Sequence, residues 1–176
     1  SNLARYDGVK YSSFSKDAAN LAELYTKTRT EYFGREVIRR VLLGSFVLSA
    51  GHFDEYYITA QKVNGLIKKE TDNLLKEYDA ILCPASTDTA PLLGESLKDP
   101  VKMYANDIFT VTANLTGLPA ISMPAGFDDK GMPVGMQLMA KAFDEDTLLL
   151  ISSLYQQRTG HHLKRPVGYV FGGDSI

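Results

Sequence analysis

The chain has 176 residues, a formal net charge of -2, 44% hydrophobic and 23% charged residues. Those proportions describe one globular domain of ordinary size and exclude a disordered chain. A pI near 5.9 argues against a basic face that binds nucleic acid unaided.

Residues before Ser15 read as irregular. Leu21, Leu24, Tyr25 and Thr28 recur at helical spacing, so a first helix is expected over Asp17–Arg29, with Ser15 as N-cap and Gly34 as stop. A second helix is expected from Arg35 to about Ser49, broken by Ala50-Gly51. A third runs from Asp54 to Glu77, with Tyr57, Ala60, Val63, Leu66, Ile67 and Leu74 as its apolar stripe. The run Asp79 to Pro84 reads as a buried strand, and Ala85 to Pro100 as a loop. A short helix is expected over Asp107–Leu115, closed by Gly117. Two strands, Pro119–Ala125 and Pro133–Met139, flank a turn at Asp128-Asp129-Lys130-Gly131. Alternation in the second strand predicts one face more buried than the other. A last helix starts at Asp144, where three acidic residues suit the positive end of the helix dipole, and ends with Gly160 at C′. The order predicts an α/β chain with few strands for its many helices.

Two charges stand out. Arg40 shares its helical face with Val37, Leu43, Gly44 and Val47. It either snorkels or pairs with a structural carboxylate, or it serves an anionic ligand that its fork grips bidentately. Asp107 stands where a helix should begin. It is either an N-cap or a carboxylate held to meet a cation. Cys83 reads as a core thiol, His161-His162 as a polar helix exit, and Ser152-Ser153 lacks a base at helical spacing. Ser1 would be a nucleophile only if processing exposed it. The single cysteine rules out an intrachain disulfide and suits a reducing compartment. With His52, His161 and His162 it makes no metal-ligand spacing. No phosphate loop, signal peptide or bilayer-length apolar run is seen. No nucleophile, base and orienting group assemble locally.

Several stretches together resemble one family. Asn114-Leu115-Thr116-Gly117-Leu118-Pro119-Ala120-Ile121-Ser122-Met123-Pro124-Ala125-Gly126 is similar to the N-L-x-G-L-P-x-I-S-x-P-x-G stretch of the amidase signature family. Met132-Pro133-Val134-Gly135-Met136-Gln137-Leu138-Met139, followed by Phe143-Asp144-Glu145, resembles its L-P-x-G-x-Q-L segment. Within that family, four segments resemble the A-subunit subgroup of the tRNA-dependent amidotransferases. They are Ser1 to Tyr11; Phe33 to Arg40 with Leu43-Gly44; Tyr56-Tyr57 with Ala60 to Val63; and Asp99-Pro100 with Met103-Tyr104 and Asp107. Cys83-Pro84-Ala85-Ser86 departs from the subgroup's usual small residue and Pro-Thr.

The resemblance implies a mixed sheet between helical layers, of which residues 1–176 form the C-terminal part of a single domain. It implies that the family's serine, cis-serine and lysine triad lies upstream, so no catalytic residue carries over. It implies that Arg40 binds the carboxylate of free glutamine and Asp107 its amino group. The activity implied is glutamine hydrolysis, with the ammonia passed to a partner that amidates Glu-tRNA(Gln) or Asp-tRNA(Asn). The implied partners are subunits B and C, with misacylated tRNA, ATP and Mg held by the partner subunit. This chain itself is expected to hold no cofactor or metal and to contact no membrane, and the setting expected is the cytoplasm. Two other functions stay open: an amidase of small amides, and a non-catalytic fragment that docks a partner.

Overall fold

The computed structural model describes residues 7–11, 13–94 and 99–166. Ser1 to Tyr6, and with them the start of the first subgroup segment and the conditional nucleophile Ser1, lie outside the described residues, as do residues 95–98 of the expected loop. The chain divides into two compact units, one up to Val63 and one from Asn64 on.

In the first unit, α1 spans Leu21–Tyr32 and α2 spans Arg35–Val47. α1 starts four residues later than its apolar spacing suggests. Asn20 is the N-cap, and its side chain accepts from the Glu23 amide at 2.9 Å. Ser15 does not cap it. Its amide donates to the Thr28 hydroxyl at 3.1 Å, and its hydroxyl lies 3.4 Å from the Glu31 carboxylate. Gly34 does not end α1 in the left-handed conformation either; it is extended and forms the N-cap position of α2.

The segment before α1 docks on it through Asp7-Gly8. Asp7 Oδ1 accepts from the Val9 and Lys10 amides at 2.8 and 3.0 Å, and the Tyr25 hydroxyl reaches Oδ2 at 3.4 Å. Gly8 has φ +87°, and a Cβ there would stand 2.9 Å from Phe33 Cε1 and 3.1 Å from Thr28 Cγ2. Thr28 is fully buried. Gly8→Ala is therefore expected to destabilise this unit by about 2 kcal/mol, from backbone strain and the forced movement of Phe33. A urea unfolding curve of the variant beside the parent measures it.

After α2 the chain turns at residues 48–52 and enters a π-helical turn, Phe53–Ile58, that runs into α3, Thr59–Glu77. The third expected helix thus occupies its expected span with a widened first turn. Phe46, His52 and Tyr56 cluster around that turn, with ring centroids 4.1 to 5.9 Å apart. The expected stripe on α3 is not its buried face. Val63, Leu66 and Leu74 are exposed, whereas Thr71 and Leu75 are buried.

The second unit is built on a three-stranded sheet in the order β1-β3-β2, all antiparallel among the described residues. β1 spans Ala80–Pro84, β2 Ala120–Phe127 and β3 Pro133–Ala140. Two short helices lie between β1 and β2. α4, Pro100–Ala105, begins at the end of the expected loop, where the sequence predicts no helix. It forms because Asp99 caps it, accepting from the amides of Val101 and Lys102, and because proline suits the first helical position. α5, Thr110–Thr116, ends at Gly117 with φ 72°, as the sequence predicts. Lys68 of α3 donates to the Thr116 carbonyl at 2.8 Å, a cation at the negative end of α5.

α6, Glu145–Arg158, covers one face of the sheet. Leu148 meets Met123, Leu138 and Ala140 there, with Ala80, Ile121, Met136, Ile151 and Tyr155 around them. Gly160 is not left-handed; it leads into a 3₁₀ turn, His161–Leu163. Two strands depart from expectation. β1 is an edge strand, and its Leu82 is 63% exposed. β3 is central, so from Gln137 to Ala140 all four residues are buried and both faces are covered.

The β2–β3 turn is held by Asp128. Its Oδ1 accepts from the amides of Met132 and Lys130 at 2.8 and 2.9 Å, and Thr89 donates to Oδ2 at 3.1 Å. The Met132 amide above all, then that of Lys130, holds the carboxyl below its ordinary value of 3.8. A lowered folded-state pKa contributes stability above the unfolded value, and that contribution is lost as pH falls through the folded one. The parent is therefore expected to lose stability below about pH 4 more steeply than Asp128→Asn, whose amide oxygen still accepts but does not titrate. Urea unfolding between about pH 5 and pH 2 reads the difference.

Candidate functional site

Arg40 lies one turn into α2. Its Nε donates to Glu36 Oε1 at 2.9 Å, and Arg39 Nη1 donates to Glu36 Oε2 at 2.8 Å. The two arginine side chains are 49% and 47% exposed, so the pairing takes place in solvent. This corrects the apolar surroundings that helical spacing gave Arg40. Val37 and Leu43 do flank it on the helix, but they are exposed themselves, and no residue of α2 is buried. The pairing with a structural carboxylate is present.

Arg35, Arg39 and Arg40 surround the single Glu36 in the first two turns of α2, at the positive end of its dipole. Glu36 already divides its two oxygens between two guanidinium groups. Exposed pairs at this spacing are worth only about 0.3–0.5 kcal/mol, so the pair with Glu36 adds little to the stability of α2.

Asp107 lies in the second unit, three residues before α5 begins. It does not act as the side-chain cap of that helix. Its backbone carbonyl serves instead, accepting from the Val111 amide at 2.9 Å and the Thr110 hydroxyl at 3.1 Å. Its carboxylate is exposed and has no hydrogen-bond or ion-pair partner among the described residues. The turn carrying Asp107 is anchored on both sides. Asn106 Oδ1 accepts from Thr87 at 2.8 Å, and the Phe109 carbonyl accepts from Gln137 Nε2 at 3.2 Å. A groove of about 470 Å³ opens beside Asn106, between Asp88–Leu92 and Lys102, and Asp107 is not part of its lining.

The other residues that the sequence singles out have structural surroundings. Cys83 is half-buried, 3.5 Å from the Gln137 amide nitrogen. Ser152 Oγ is buried with no partner among the described residues, and Ser153 accepts from Gln157. His161 packs near Phe127 and Tyr155. Among the described residues no three His, Cys, Asp or Glu side chains group to hold a metal, and no helix is long and apolar enough to cross a membrane.

Gln137 is not among the residues that the sequence singles out, because alternation places it on the less buried face of its strand. The available signal is a long polar amide inside the run Met136 to Ala140, whose neighbours are apolar.

The family model Amidase matches residues 1–149, and the chain belongs to that family. It is 49% identical over 165 residues to the A subunit of glutamyl-tRNA(Gln) amidotransferase from Picosynechococcus sp., covering 94% of this chain and 34% of that protein. It is 54% identical over 158 residues to the protein of the same name from Pelagibacter ubique, covering 90% of this chain and 32% of that one. The crystal structure of the glutamyl-tRNA(Gln) amidotransferase A subunit from Thermotoga maritima superimposes with a TM-score of 0.53 at 46% identity, covering 72% of this chain and 27% of the other. The chain thus spans about a third of the length of the curated relatives it matches. Its α/β architecture is part of the amidase signature fold.

Proposed function

We propose that this chain is the C-terminal part of the glutamine-hydrolysing subunit of a tRNA-dependent amidotransferase, and that it supplies the residues that select free glutamine. The observation that carries this reading is identity of about half, over 90–94% of the chain, to proteins named as the A subunit of glutamyl-tRNA(Gln) amidotransferase. Two exposed charged side chains fit it: Arg40 of α2, paired with Glu36 in solvent, and Asp107 before α5. A free amino acid is a zwitterion, so a site that selects it wants one cation and one anion. Arg40 takes the α-carboxylate through its planar fork, and Asp107 takes the α-ammonium. Held at that end, glutamine presents its side-chain amide to a nucleophile, which is catalysis by positioning. Near-half identity to proteins named as the A subunit of this amidotransferase supports the reading.

On this reading residues 1–176 belong to a single catalytic domain, and the serine, cis-serine and lysine lie upstream of Ser1. The ammonia goes to a partner subunit that holds ATP, Mg and the misacylated tRNA. Subunits B and C are the companions, the assembly is a ligase, and it works in the cytoplasm. The test is glutamate release from glutamine. The chain alone, shown to be folded by circular dichroism, is expected to release none. The full-length protein is expected to hydrolyse free glutamine in preference to neutral amides. Turnover by the chain alone would place a nucleophile within it and defeat the reading. Equal or better activity of the full-length protein on neutral amides would make it a small-amide hydrolase instead.

A further inference from the structure

We propose that Gln137 is a positioning residue for glutamine recognition: it fixes the turn that carries Asp107. The inference rests on the reading of Asp107 as the group that meets the α-ammonium.

Gln137 sits on the central strand β3 and is 5% exposed. Its neighbours Met136 and Leu138 point to the α6 side, where they pack with Met123 and Leu148. Gln137 points to the opposite face. A polar amide buried there needs partners, since an unmatched one bears its full desolvation penalty. It finds the Phe109 carbonyl at 3.2 Å and the Cys83 sulfur at 3.5 Å. A carbonyl only accepts, so the nitrogen of the amide must face Phe109, and the orientation is fixed by chemistry. Because a carbonyl has two lone pairs, this bond leaves one for the first turn of α5.

Phe109 is two residues from Asp107 and occupies the N-cap position of α5. The Asp107 carboxylate itself has no hydrogen bond among the described residues. Its place is therefore set by the backbone alone. That backbone is tied to its helix through the Asp107 carbonyl, to the β1 exit through Thr87 and Asn106, and to the sheet through Gln137. The last of these is the least exposed, and it joins the turn to the most covered strand of the unit. A displacement of about 1 Å in a positioning group is enough to cost up to a hundredfold in rate. The Gly-x-Gln-Leu stretch of β3 thus links the sheet to substrate selection.

The experiment uses the full-length protein with its companion subunits. It compares kcat/KM for glutamine with that for 4-carbamoylbutanoate, which keeps the carboxylate and the amide but lacks the α-amino group. Gln137→Met keeps length and removes the donor. It is expected to reduce the preference for glutamine about tenfold or more, chiefly through KM, while the analogue is used within about twofold of the parent rate. Asp107→Asn is expected to lose the same preference, and the double variant to lose no more than either alone.

If Asp107→Asn loses the preference and Gln137→Met keeps it, the positioning role is overturned and the glutamine reading stands. If Asp107→Asn keeps the preference, the glutamine reading falls and this inference falls with it. If Gln137→Met depresses both substrates equally, Gln137 only supports the fold and the proposal is overturned. Should the methionine variant lose its thermal transition, Gln137→Glu replaces it. Its buried carboxyl donates to the Phe109 carbonyl only when protonated, so the preference must fall as pH rises where the parent's is flat. A flat profile overturns the proposal.

Discussion

Replacing Arg40 with alanine in the full-length protein is expected to lower kcat/KM for glutamine by about tenfold or more, mainly by raising KM. A hydrogen bond to a charged group contributes about 1.5–3 kcal/mol, and about 1.4 kcal/mol is a factor of ten. Stability should hardly change. The pair that is lost, Arg40 with Glu36, lies half in solvent, and Glu36 keeps Arg39. A kinetic defect with an unchanged unfolding midpoint therefore points to the ligand. Arg40→Lys refines the result. Lysine keeps the charge but not the fork, so a bidentate grip on the α-carboxylate predicts only partial recovery. Steady-state glutaminase kinetics that match the parent for Arg40→Ala would remove Arg40 from the site.

Asp107→Asn is expected to raise KM for glutamine by a similar factor while sparing an analogue that lacks the α-amino group. The substitution is nearly isosteric and neutralises one charge. Because the carboxylate is exposed and without a hydrogen bond among the described residues, unfolding should shift by no more than about 0.5 kcal/mol. Selectivity between the two substrates is the informative quantity. A uniform loss on both would mean that Asp107 shapes its turn and does not read the ammonium. Arg40 and Asp107 then make separable predictions: the first acts on any substrate with the carboxylate, the second only on those with the amine.

The residues differ in how far their surroundings can be read from the chain alone. Gly117 closes α5 in the left-handed conformation because a glycine after a helical run has one common use, and the signal is local. The hairpin turn at Asp128 to Gly131 is local in the same way. The surroundings of Arg40 are not legible, because helical spacing tells which residues share a face and not whether that face is covered. Val37 and Leu43 are apolar and exposed alike. α4 escapes prediction although Asp99-Pro100 is a capping pair; the prolines and glycine around it favour a loop. The burial of Gln137 escapes it too, because alternation fits a strand with one covered face. Only the pairing of β3 with both β1 and β2 shows that it is central, and pairing is a non-local property.

That same strand order predicts a sequence of folding events in the second unit. β2 and β3 meet across a short turn, with Phe127 opposite Pro133, so their pairing closes a small loop. β1 reaches β3 across a far longer one, with Pro84 opposite Met136. The entropic penalty grows with the chain enclosed, so the hairpin is the early structure and β1 the late arrival. Cys83 comes with it, and only then does the Gln137 amide acquire its sulfur neighbour. The turn carrying Asp107 lies inside the long loop that β1 closes, so loop-closure entropy predicts that this carboxylate gains a settled address only after the hairpin has formed.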